Sequence, residues 1–110
     1  MADRPGVSGD PAAARVQLDA LRRRIDELDE RLVRLLNDRA GCALEIGRIK
    51  QALGMEIYQP DREREVLRHV RELNGGPLDA HAMVRLFERI IDEARSLERL
   101  AQVRSTKDEG

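Results

Sequence analysis

The chain has 110 residues, enough for one domain and not for two. Charged residues make up 37% and apolar residues 41%, with one Phe, one Tyr and no Trp, so strong helix formers outweigh the residues that favour strands and the expected class is all-α. Twenty basic residues face 21 acidic ones with the signs interleaved; this excludes the electrostatic footprint of a nucleic-acid binder, and the lack of aromatics removes stacking platforms for single strands.

Residues 1–12, MADRPGVSGDPA, are expected to form a flexible tail ahead of a domain spanning 13–104. Met1 to Ala14 lacks the apolar run of a signal peptide, and no stretch reaches the roughly 18 apolar residues of a membrane span. The expected location is the cytoplasm, and no membrane partner is expected. From Ala12 to Gln59 there is no proline, and Leu18, Leu21, Ile25, Leu28, Leu32, Leu35, Arg39, Cys42, Ile46, Ile49 and Leu53 follow one another at steps of three and four. That is a heptad seam on one very long helix. A helix of about 40 residues is about 60 Å long, whereas a compact 100-residue domain has a radius of gyration of about 13 Å. Its own chain cannot wrap it, so a second copy is expected to cover the seam. Gly41 and Gly47 inside this helix are expected to mark close helix packing. The lone cysteine, Cys42, lies on the seam and excludes an internal disulfide framework.

Gly54 to Pro60 breaks the pattern and is expected to be a loop with a short extended piece. Pro60 suits the first position of a second helix, and Asp61 and Glu63 complement the dipole of its first turn. Val66, Leu67, Val70 and Leu73 form its apolar side, and Asn74-Gly75-Gly76-Pro77 is a stop signal. Asp79 can cap a third helix from about Ala80 to about Arg104. Its stripe is Val84, Phe87, Ile90, Ile91, Ala94, Leu97 and Ala101, followed by a flexible end over 105–110.

Charge on these apolar faces is the informative feature, because a buried charge is costly unless paired. Arg39 holds a seam position. Lys50 follows 11 residues later, and 11 steps of about 100° return it to within about 20° of Arg39. Glu98 falls seven residues after Ile91 on the third stripe, and Glu63 lies one turn before Val66 and Leu67. Taken singly, each has an ordinary explanation: a register-setting polar residue, a snorkelling lysine, or a surface pair of Glu98 with Arg95 or Arg99. Together they indicate a polar cavity between helices, with a guanidinium and an ammonium suited to a small carboxylate. No nucleophile is activated in plausible context, His69 and His81 belong to no ligand cluster, and there is no glycine-rich phosphate loop. The expected chemistry is controlled by conformation and electrostatics, with no metal.

The runs LDALRRRIDELDERLVRLLNDRAGCALEIGRIK, IYQPDRERE and LDAHAMVRLFERIIDEARSLE resemble the all-helical chorismate mutase family, over roughly Leu18 to Ala101. The resemblance implies an intertwined homodimer of three helices per chain that converts chorismate to prephenate by a pericyclic Claisen rearrangement, without a cofactor, on the route to phenylalanine and tyrosine. Carried over by position, Arg39 would bind one substrate carboxylate and Arg22 would reach into the partner's site for the other. Lys50 would hydrogen-bond the ether oxygen with Glu98 as a second group there. Glu63 would take the ring hydroxyl and Arg62 would order its segment. Gln59 stands where aspartate is common, and Ala94 where serine is frequent. An isochorismate-pyruvate lyase of the same fold would use a similar cage, and a non-catalytic dimerisation or regulatory module would be expected to have degraded it. The family also leaves room for a complex with another shikimate-pathway enzyme.

Overall fold

The computed structural model describes residues 9–109. They form three helices, α1 (Pro11–Leu53), α2 (Pro60–Leu73) and α3 (Ala80–Glu109), and no strand among the described residues. None of the described helices is long and apolar enough to cross a membrane.

Local chemistry explains each boundary. Asp10 opens α1: its carboxylate accepts the Ala12 amide at 3.2 Å and its carbonyl accepts the Ala14 amide at 2.8 Å, with Pro11 as the first helical residue. The helix therefore takes in the last residues of the expected tail; residues 1–8 of that tail lie outside the described residues. At the other end Gly54, at φ 68°, donates to the Gln51 carbonyl while Met55 donates to that of Lys50. This reciprocal pair is a Schellman closure, and it requires the left-handed conformation that glycine adopts without steric cost. The connection to α2 contains no strand. Pro60 starts α2, and Asn74 ends it by donating its amide to Val70 and its side chain to the Leu78 carbonyl. Asp79 caps α3, accepting the Ala82 amide at 2.7 Å. That helix runs to Glu109, past the expected end at Arg104. Nothing in Ser-Thr-Lys-Asp-Glu breaks a helix, and extending a formed one gains a hydrogen bond per residue.

The chain divides into two compact units, Met1–Asp38 and Arg39–Gly110. From Pro11 on the first is helix, and the seam leucines Leu18, Leu21, Leu28, Leu32 and Leu35, with Ile25, are exposed in it. In the second unit α1 meets α3 at Gly47 and Lys50, and α2 packs against α3. Ala43, Gly47, Val70 and Ile91 are its buried apolar positions. Gly47 is where α1 and α3 approach closely: a Cβ there would lie 3.2 Å from the Glu98 Cα and 3.1 Å from its Cγ. The other helical glycine, Gly41, meets nothing within 4 Å among the described residues, so close packing inside the chain accounts for Gly47 alone.

Candidate active site

Lys50 and Glu98 form the centre of the second unit. Lys50 sits in the last turn of α1, where a cation complements the helix dipole. Its ammonium donates to the Ile57 carbonyl at 2.8 Å and to Glu98 Oε2 at 3.2 Å, with Oε1 at 3.5 Å. Glu98 is 6% exposed. Both side chains are thus removed from water, and each charge has its partner; a buried pair is tolerated only on those terms. The surface pairing of Glu98 with Arg95 or Arg99 does not occur. Close contact at Gly47 sets the height of Glu98, and Gln102 reinforces it by donating to the Gly47 carbonyl at 3.2 Å.

A cavity of about 360 Å³ opens beside this pair. From α1 it is lined by Arg39, Cys42, Ala43, Ile46 and Lys50, and from the connecting loop by Ile57 and Gln59. Helix α2 adds Arg62, Glu63 and Val66, and α3 adds Ile91, Arg95 and Glu98. Arg39, Lys50, Gln59, Arg62, Glu63 and Glu98, which the sequence singles out, therefore share one cavity. Arg39 is half-buried and forms no ion pair among the described residues, which leaves its guanidinium available to an anion. Arg62 is exposed and pairs with Glu65 at 2.8 Å. Gln59 donates its side-chain amide to the Glu56 carbonyl at 2.7 Å, while its backbone carbonyl accepts the Glu63 backbone amide at 3.1 Å. It orders the entry to α2. Two expected residues are not brought to the cavity: Ala94 is half-buried on α3 without lining it, and Arg22 belongs to the first unit.

Arg95 is the site residue that sequence reasoning missed. It is four residues after Ile91 and three before Glu98, so it shares their stripe; the test that singled out Glu98 applies to it equally. Its Nε lies 2.8 Å from Glu63 Oε2, its Nη2 donates to Asp92 Oδ1 at 2.5 Å, and its guanidinium carbon sits 5.4 Å from the centre of the Tyr58 ring. The Nε is buried and its N–H is not aligned on the Glu63 oxygen, so that contact is an ion pair and not a hydrogen bond.

The family model for chorismate mutase type II matches residues 21–99. The chain belongs to the chorismate mutase type II family. Among its relatives, the bifunctional chorismate mutase/prephenate dehydratase of Stutzerimonas stutzeri is 46% identical over 99 residues, covering 86% of this chain and 27% of that protein. The chain thus spans about a quarter of the length of such bifunctional relatives. The chorismate mutase of Methanocaldococcus jannaschii is 27% identical, with 76% of this chain and 85% of that protein covered. Among solved structures, the Thermus thermophilus chorismate mutase (form II) superposes with a TM-score of 0.74 at 34% identity, over 76% of this chain and 94% of that one. The Helicobacter pylori chorismate mutase, solved in complex with prephenate, superposes with a TM-score of 0.72 at 32% identity, over 77% and 92%. The all-helical class expected from composition is that of the chorismate mutase family.

The cavity of this chorismate mutase family member combines an apolar floor (Ala43, Ile46, Val66, Ile91) with cations at Arg39, Lys50 and Arg62 and carboxylates at Glu63 and Glu98. No three His, Cys, Asp or Glu side chains gather as a metal site among the described residues. Such a site can bind an anionic molecule, hold it in one conformation and place a fixed positive charge against oxygen.

Proposed function

We propose that the chain is a chorismate mutase, an isomerase that rearranges chorismate to prephenate. One observation carries this reading: the buried Lys50–Glu98 pair sits in the same cavity as Arg39, which has no ion pair among the described residues. In the rearrangement the ether C–O bond breaks as a C–C bond forms from the enolpyruvyl arm to the ring. Electrons move in a cycle, so no acid, nucleophile or cofactor has to exchange atoms with the substrate. What the protein supplies is geometry and charge. Arg39 grips a carboxylate and folds the flexible arm over the ring. An ammonium has three N–H donors; Lys50 spends two directions on Ile57 and Glu98, and the remaining one meets the ether oxygen as negative charge develops there. Glu98 accepts from Lys50 and fixes that direction, and Glu63 accepts the ring hydroxyl.

We further propose a homodimer in which Arg22 of each chain binds the second carboxylate in the partner's cavity. The exposed leucine seam of the first unit supports it, since unpartnered apolar faces of this extent mark association surfaces. The compartment proposed is the cytoplasm. The deciding experiment follows chorismate loss and prephenate formation with purified wild type, Arg39→Ala and Lys50→Ala. Loss of one preorganised donor costs about 10²–10³ in kcat, so Lys50→Ala is expected to fall by that factor. Equal rates in all three, or turnover of isochorismate to salicylate and pyruvate without prephenate formation, would overturn the assignment.

A further inference from the structure

Arg95 has no role in the chemistry above, yet it is half-buried, lines the cavity and touches Glu63. Its guanidinium is engaged by two carboxylates, Glu63 and Asp92, and flanked by the Tyr58 ring. With two anions already beside it, it offers an incoming anion far less than Arg39 does. The contact runs the other way, toward Glu63. That carboxylate has one oxygen, Oε2, against the arginine, and no other side chain among the described residues forms an ion pair with it.

We propose that Arg95 is a positioning residue for substrate recognition: it pins one oxygen of Glu63 so that the other faces the cavity and accepts the ring hydroxyl. The inference rests on the chorismate mutase reading of the site. Three contacts from different elements hold the arginine itself: Asp92 one turn earlier on α3, Glu63 on α2, and Tyr58 on the connecting loop. A planar guanidinium satisfies all three at once; an ammonium or an apolar side chain does not. Without it, the Glu63 carboxylate at the start of α2 regains rotamer freedom, and each binding event must order it again.

The test compares chorismate with an analogue in which hydrogen replaces the ring hydroxyl. In wild type, kcat/KM for chorismate exceeds that for the analogue. Arg95→Leu is expected to lower kcat/KM for chorismate about tenfold, the scale of a hydrogen bond to a charged group, chiefly through KM, and to leave the analogue unchanged. Glu63→Gln combined with Arg95→Leu is expected to add little to Glu63→Gln alone, because both act on one contact. Arg95→Lys should recover only part of the discrimination. Arg95→Gln carries the same comparison if the leucine variant fails to fold. Equal losses for both substrates would make Arg95 a purely structural residue, and unchanged kinetics for both would remove any role; either overturns the proposal while leaving the mutase assignment intact. A wild type inactive on both substrates would overturn the assignment and the proposal with it.

Discussion

At the scale of single residues, the site is built from charges placed where an apolar side chain would pack better. Lys50 and Glu98 show what that arrangement costs. Glu98→Ala leaves a buried ammonium with the Ile57 carbonyl as its one remaining hydrogen-bond partner among the described residues, and breaking a buried pair in this way costs about 3–5 kcal/mol. Glu98→Gln keeps an oxygen for Lys50 and is expected to cost clearly less. The urea midpoints of the two variants, at matched protein concentration, measure the difference. Arg39, Lys50, Glu63 and Glu98 were legible in the sequence because each interrupts an apolar periodicity. Arg95 interrupts the same periodicity, but it follows Asp92 and Glu93, and in so charged a helix it reads as part of a solvated face. Its part emerges only from Glu63 and Tyr58, which are distant in sequence. Gln59 likewise reveals its local bonds to Glu56 and Glu63 only once the loop is folded.

At the scale of elements, the helix boundaries followed from short-range chemistry and were largely legible. Pro60, Asn74-Gly75-Gly76-Pro77 and Asp79 mark starts and stops through backbone restrictions and side-chain caps that need no tertiary partner. Asp79→Ala is therefore expected to cost about 1 kcal/mol, read as a lower melting temperature at fixed concentration. The far end of α3 was not legible, because no residue there forbids the helix. Packing between elements is a different matter. Periodicity placed Gly41 and Gly47 alike inside α1, and only the approach of α3 separates them. Gly47→Ala puts a methyl group within 3.2 Å of the Glu98 backbone, so α3 must shift and carry Glu98 with it. Overpacking of this kind costs about 1–3 kcal/mol, offset in part by the better helix propensity of alanine. The displacement is expected to lower kcat more than it raises KM, because in the proposed mechanism Glu98 aims the donor that meets the transition state. Steady-state kinetics of Gly47→Ala, set beside its melting curve, check both effects.

At the scale of the whole molecule, the cavity holds one guanidinium, that of Arg39, without an ion pair among the described residues, and the proposed substrate carries two carboxylates. If Arg22 of the partner supplies the second, Arg22→Ala and Arg39→Ala homodimers are each strongly impaired for different reasons. Mixed in equal amounts and allowed to exchange subunits, they are expected to recover about a quarter of wild-type activity, since half the dimers are hybrids and each hybrid has one intact site. No recovery after demonstrated exchange would place the second carboxylate on groups within one chain. The seam proposed to drive this association was fully legible, as its spacing is a property of the sequence alone.

The exposed leucines of the first unit carry one more consequence. A surface that is satisfied only by another molecule makes folding a bimolecular event, governed by mass action. The melting temperature is then expected to climb as the protein is concentrated, and specific activity to decay on dilution below the dissociation constant. Leu28→Glu, which places a charge on the apolar seam, should move that threshold to higher concentration. For such a chain, catalysis would depend on how much of it the cell makes.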